Sequence, residues 1–390
     1  MNFKTTLTAA MLHKWAILAV VQTALLFGQD GRAGTNELAE FNRRATATAQ
    51  LLAGITPNPP EPAFNRLLEL DAWKEHQKWM TSHWAQVRGR LATMESWRDH
   101  EIKIAGAQKK TLLYPFSGPD FLNAYTLFPD HARYVFFSLE RPSAMPDMES
   151  VTTVQFTKLL TDVRSAFRDI FERNYFITSY MTKQLTTPWI RGTVPVMATM
   201  MALMNRRIVR IEPIDLFPEL TSAFEAPDSK RPRVLLRGVR IDFANPATQG
   251  TQQLFYYSLD ATDKALEHYP EFLNWVGQFK NSTVLIKSAS YLLHDGQFIK
   301  TRATLLESAD FVVQDDTGIP YRFLSHSPWT VKLYGKYHKP IRPMEYAYQK
   351  DLEEAFKTRT ATAELPFPFG YHWRGSQSGL IVASREHSSN

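Results

Sequence analysis

Apolar residues along the chain follow two spacings, and the spacings alternate. The first is the short unbroken run that ends in polar turn residues. It appears in TLLYPFSGPD (Thr111 to Asp120), RYVFFSLE (Arg133 to Glu140), STVLIKSAS (Ser282 to Ser290) and DFVVQDDTG (Asp310 to Gly318). Each has the form of a strand with polar groups at its carboxyl end. The second spacing is three and four. Trp73, Met80, Trp84, Val87, Leu91 and Met94 share one helical face, with Asp71 placed as an N-cap, and predict a helix over about 72–100. Its tryptophans could form a glycan platform, but a stripe at this spacing is the usual mark of core contact.

The remaining segments extend the pattern. Phe121 to Phe128 predicts a short helix that stops at Pro129, and Glu149 to Met181 predicts a longer one through Val154, Leu159, Val163, Phe167, Ile170 and Phe171. Val194 to Met204 is apolar all round and too short to span a bilayer, so it predicts a core helix rich in methionine. Arg207 to Ile214, Arg233 to Phe243 and Gln253 to Leu259 predict strands. In the second of these Val239, Ile241 and Phe243 alternate with Arg240 and Asp242, the pattern of a half-exposed antiparallel hairpin. From Asp263 the expected order is a helix to Lys280, a strand from Thr283 to Lys287, a helix from Gly296 to Ser308, and strands at Phe311 to Gln314 and Trp329 to Tyr337. A last short strand spans Gly379 to Ser384. Such alternation implies right-handed parallel crossovers. The predicted class is α/β: a mixed, mainly parallel Rossmann-like sheet flanked by helices, with an antiparallel hairpin and a long amino-terminal helix.

The amino terminus changes the compartment. Lys4, His13 and Lys14 precede an apolar run from Trp15 to Gly28, and Gly31-Arg32-Ala33 offers small residues at a cleavage spacing. This predicts a secretory signal peptide over 1–33, cut so that the exported chain begins at Gly34. The run is shorter than the ~20 residues of a spanning helix, so no transmembrane helix is expected after processing. Residues 34–62 form a polar, alanine-rich segment and a linker with four prolines between Pro57 and Pro62. A single large α/β domain is expected over 63–390.

Composition adds exclusions. With 390 residues, 44% apolar, the chain has ample material for a core. It contains no cysteine, which excludes disulfides, thiolate metal sites, thiol nucleophiles and lipid attachment at cysteine. The net charge of +6 falls to +4 once Lys4, Lys14, Arg32 and Asp30 are removed with the signal. Spread without runs, that excess gives no strong nucleic-acid signal, while an envelope component and a small polar ligand remain open as partners.

The strand ends carry the candidate chemistry. In a parallel sheet all carboxyl ends meet one edge, where ligands bind. Tyr114, Ser117, Gly118 and Asp120 follow the first strand and Glu140 the second; Lys287, Ser288 and Ser290 follow the third, and Asp315 and Asp316 the fourth, with Arg322 beyond. Together they could support acid–base work or hold a polar ligand, and each alone could be a turn or cap residue. Asp120 and Asp315 are expected to face a common pocket, with Lys287 or Arg322 offsetting their charge.

Sharper motifs fail. The first strand, turn, helix and second strand resemble a Rossmann-like nucleotide unit, but only Gly118 of three required glycines is present. Asp316-Thr317-Gly318 matches the aspartic-protease strand end without a second copy to supply the partner carboxylate. Gln377 stands where a nucleophile-elbow serine would be. His76 and His83 lack a third ligand, so no metal set is indicated, and no cofactor is identified. Tyr371-His372-Trp373-Arg374 could stack on a ring or cover the core.

At YPFSGPDF, the Trp-rich helix before it, FPDHARYVFFSLE and QDDTGIPY, the sequence resembles a group of exported bacterial proteins of uncharacterised function. The likeness runs from about Trp73 to the end and implies export, with these loops as signatures, but carries no activity. Arg141-Pro142-Ser143 departs from the Gly and Pro turn that follows the second strand in that group. Two functions of different class follow: an exported α/β protein that binds or turns over a small polar ligand at the strand ends, or a non-catalytic envelope interaction protein that uses the Trp-rich helix.

Overall fold

A computed structural model describes residues 33–176, 180, 183, 185, 187, 190–215, 237–246, 250–358, 363–373 and 378–386. The apolar run of the signal segment and Gln377 lie outside the described residues. Nine strands form one sheet: β1 (Thr111–Pro115), β2 (Arg133–Ser138), β3 (Arg207–Asp215), β4 (Arg237–Ala244), β5 (Thr251–Ser258), β6 (Ser282–Ile286), β7 (Ala309–Gln314), β8 (Trp329–Gly335) and β9 (Gly379–Arg385). Their order is β3-β4-β5-β2-β1-β6-β7-β9-β8. The central strands β5, β2, β1, β6 and β7 are parallel, and the pairs at both edges are antiparallel.

The unbroken apolar runs become the centre of the sheet because both of their faces are covered. Every residue of β1 and β6 is buried, and all but the first of β2. Successive side chains point to opposite faces. Leu112, Tyr114, Tyr134, Phe136, Leu254, Tyr256 and Leu285 join one apolar cluster, and Leu113, Val135, Phe137, Tyr257, Val284 and Ile286 join the other. The first cluster is completed by α1 (Ala33–Leu52), α2 (Asp71–Glu101), α3 (Phe121–Leu127), α4 (Thr153–Arg173) and α5 (Val194–Leu203). The second is completed by α6 (Pro270–Gly277) and α7 (Ile299–Ser308). The fold is therefore α/β, a mixed sheet between two helical layers. The four predicted strand ends are neighbours in the order β2-β1-β6-β7.

Several local expectations change. Leu70, not Asp71, is the N-cap of α2, so Asp71 serves the first turn through its charge. α4 opens with a capping box between Thr152 and Gln155 and stops at Asn174, whose φ of 66° is left-handed, well before Met181. The helix expected over Asp263 to Lys280 is two, Asp263–Leu266 and Pro270–Gly277, because Pro270 has no N–H to continue the first. The regular crossovers also end at β7. Between β7 and β8 the helical structure is the short 3-10 turn Tyr321–Phe323, too little to carry the chain back for a parallel strand. β9 instead inserts between β7 and β8, antiparallel to both.

The tryptophan stripe of α2 faces the core: Trp73, Met80, Val87, Leu91, Met94 and Trp97 are buried. The proline-rich stretch joins α1 to α2, and the end of α1 meets the first turns of α2. Trp73 Nε1 donates to Leu51 O (3.4 Å) and His76 Nε2 bonds Leu52 O (2.8 Å), so side chains of α2 satisfy the last carbonyls of α1. α5 is buried at every position.

Two buried histidines couple this fold to pH. His131 Nε2 contacts Thr283 Oγ1 at 2.9 Å. Burial pushes the imidazole of His131 down to about 3 and that of His76 to about 4 from the ordinary 6.5. The unfolded chain takes up protons that the folded one refuses, so each contribution is complete above 6.5 and lost as pH falls toward the depressed value. In urea titrations the stability gap between wild type and His131→Asn is expected to narrow as pH falls from about 7 to 4, by roughly 1.4 kcal/mol per unit once well below 6.5. A gap independent of pH would contradict it.

Candidate functional site

The chain order of the parallel strands reverses between β1 and β6. β1 leads through α3 to β2 on one side, while β6 leads through α7 to β7 on the other. Loops leaving the carboxyl ends there diverge and leave a crevice. A cleft of about 270 Å³ lies there, lined by the loops after β1, β2, β5 and β6. Tyr114, Ser117, Gly118, Asp120, Glu140, Lys287 and Ser288 all line it, so three of the four strand ends converge as expected.

On the floor, Lys287 Nζ stands 2.9 Å from Asp120 Oδ2, with both side chains almost wholly buried. Asp120 is the N-cap of α3 and accepts from the backbone N–H of Asn123 (3.1 Å). It also accepts from Asn123 Nδ2 at 2.9 and 3.0 Å and from the Tyr114 hydroxyl at 2.9 Å. Lys287 donates further to the carbonyl of Asn174, just past the end of α4. Arg90 of α2 donates to Ile170 O (3.2 Å) and Phe171 O (3.0 Å) on that same helix end. Two cations therefore meet the negative pole of α4, with Asp120 as their counter-charge.

The environment sets the protonation states. Burial pulls the Lys287 ammonium below its usual range, and the charge of Asp120 pulls it back up. Burial raises the Tyr114 phenol well above its usual value, reinforced by Asp120, so the hydroxyl keeps the proton it donates. Burial brings the Arg90 guanidinium down to about 10, so it stays charged at neutral pH. At the cleft wall, burial raises the Glu140 carboxyl against the opposing hydrogen bond from Ser138 Oγ (2.6 Å).

The fourth strand end stands behind the cleft. Asp315 is buried and accepts from the N–H of Ser288 (2.9 Å) and of Thr317 (3.0 Å) and from the Thr317 hydroxyl. It closes the turn and fixes the backbone of Ser288, without lining the cleft that holds Asp120. Its carboxyl is raised by burial, as is that of Asp316, which also feels the charge of Asp315. Asp316 accepts from the Tyr291 hydroxyl (2.5 Å) instead of facing a ligand. Arg322 lines a separate surface hollow with His294 and Tyr346 and packs over Phe323 at 5.0 Å. Of the expectation that Asp120 and Asp315 face a common pocket with Lys287 or Arg322 offsetting their charge, the Lys287 part holds, since it acts on both carboxylates. The shared pocket is corrected, because Asp315 is turned to the backbone of Ser288 and Thr317 and does not line the cleft, and Arg322 lines another hollow.

Sequence patterns missed Asn123, Asn174, Arg90 and the aromatic walls Phe116, Tyr175, Phe176 and Phe298. Asn123 sits three residues after an N-cap and Asn174 ends a helix, so capping offsets could have flagged both. Nothing in the helical pattern marks Arg90. Tyr371 braces the site, its hydroxyl meeting Ser288 O (2.8 Å) and Ser290 Oγ (2.9 Å) while its ring meets Tyr175 edge-on. Gly370 makes room for this turn, since a Cβ there would stand 2.2 Å from Asp315 Oδ2.

Comparison with protein-family models gave no match, and comparison with curated proteins gave none. The local backbone points to the same place as the side chains. Phe116, Gly118, Ser288, Ser290 and Tyr291 all adopt positive φ, between 52° and 56°, and left-handed residues that cluster in this way are held by their surroundings. Gly118 is the one of them without a side chain. Replacing it with valine is expected to cost about 1–3 kcal/mol in chemical denaturation, and a parent-like midpoint would show that the turn tolerates a β-branched side chain.

Proposed function

We propose that this is an exported protein that binds a small polar ligand, or turns it over, in the cleft at the carboxyl ends of β1, β2, β5 and β6. The observation that carries the proposal is the buried Asp120–Lys287 pair on the floor of that cleft. An ion pair so deep costs desolvation and is weak evidence for stability alone, so its place at the strand-order reversal supports a functional role. Among the described residues Lys287 Nζ has two partners, Asp120 and the carbonyl of Asn174, and an ammonium has three protons to donate. The third is available to a ligand acceptor. Glu140, whose carboxyl is raised by burial against the hydrogen bond from Ser138, lines the same cleft and is the second group there that could exchange a proton with a ligand.

Export is supported by the basic start, the apolar run and the small residues that follow it. Among the described residues no helix is long and apolar enough to cross a membrane. The resemblance to exported bacterial proteins agrees with this reading. An envelope contact through α2 has less support, because most of its apolar stripe packs in the core, with Trp84 partly buried against it.

Leu139 offers a clean test, being 62% exposed while lining the cleft. Arginine there should block the mouth at little cost in stability. A library of small polar metabolites, read by ligand-observed NMR, is expected to give hits on wild type that Leu139→Arg weakens at least about tenfold, the scale of one lost or hindered contact group. Hits that bind the variant unchanged would place the ligand elsewhere.

A further inference from the structure

We propose that the ligand carries a cationic nitrogen, a small alkylammonium group seated against Glu140 between aromatic walls. This rests on the cleft being a ligand site and adds the charge class of what it takes. Glu140 faces the cleft, and its carboxylate is met by a neutral donor, Ser138 Oγ at 2.6 Å. Lys287, the cation among the described lining residues, is already engaged with Asp120 at 2.9 Å. Among the described residues no cation forms an ion pair with Glu140. Glu140 is half-buried at the cleft wall, where a carboxylate without a counter-charge is less well solvated than in open water, and a ligand cation would supply the missing partner.

The rest of the lining points the same way. Asp260 also borders the cleft, its Oδ1 accepting from the N–H of Thr262 at 3.0 Å, so the lining carries three carboxylates against one lysine. An anionic ligand would meet that excess directly. Phe116, Tyr175, Phe176 and Phe298 line the same space, and the faces of aromatic rings attract ammonium groups. At about 270 Å³ the cleft suits a metabolite of a few heavy atoms. Because burial holds the Glu140 carboxyl above its usual range, cation binding and ionisation of Glu140 favour each other. Affinity should therefore rise with pH through that titration.

The test uses choline, ethanolamine and putrescine as probes on the full chain, against 3,3-dimethylbutan-1-ol as the uncharged isostere of choline and propionate as an anion. Titration calorimetry is expected to show at least one ammonium probe binding at least about tenfold tighter than the alcohol and the acid, with affinity rising as pH is raised above the ordinary glutamate value of 4.5. Glu140→Gln should weaken that binding by about tenfold or more. If that variant does not fold, the pH profile of wild type decides, and a flat profile overturns the proposal. No ammonium binding, or an isostere that binds as tightly as choline, also overturns it. A neutral or anionic ligand blocked by Leu139→Arg would overturn the charge class and leave the cleft as the site. An ammonium probe unaffected by Leu139→Arg would overturn both.

Discussion

The buried ion pair of Asp120 and Lys287 is the constraint around which the carboxyl edge of the sheet is arranged. Either charge alone in that interior would carry an uncompensated desolvation cost, commonly about 3–5 kcal/mol once a partner is removed. The pair therefore ties together the elements that supply its members and its hydrogen bonds. Asp120 fixes the start of α3 while Lys287 leaves the end of β6 and reaches the end of α4. Tyr114 reaches it from β1 and Asn123 from α3, so a shift in any of these elements would leave a buried polar group unpaired.

Around that centre the apolar architecture does two things. Alternation along the central strands divides the core into two clusters, and the bulkiest rings, such as Tyr114, Tyr134 and Tyr256, face the layer of α1 to α5. The polar ends of the same strands are then held at the one edge where strand order reverses. Strain is concentrated there as well, in the left-handed residues after β1 and β6. Asp315 and Tyr371 hold the second of these turns by bonding the backbone of Ser288, so a residue outside the cleft shapes its floor.

Much of this was legible in the sequence, for physical reasons. A strand covered on both faces must be apolar throughout, so the four central runs announced themselves, and their carboxyl-end residues Tyr114, Ser117, Asp120, Glu140 and Lys287 could be placed on one edge. The alternation in Val239 to Phe243 likewise marked an antiparallel strand. What could not be read was which loops turn inward. Asp120 and Asp315 look alike in sequence, each after an apolar strand, yet one lines the cleft and the other closes a turn behind it. Arg322 follows β7 closely but faces another hollow. Strand β8 shows the same limit, because its antiparallel place depends on pairing with β9, far along the chain. Arg90 and Asn174 join the site only through tertiary packing of α2 against α4.

The most direct measurement is a double-mutant cycle on Asp120→Asn and Lys287→Met, with unfolding free energies from urea titration. If the buried pair organises this edge, the two single variants should each lose several kcal/mol, and the double variant should lose less than their sum by about 1–3 kcal/mol. Losses that add to within about 0.5 kcal/mol would show two independent residues and contradict the central role of the pair.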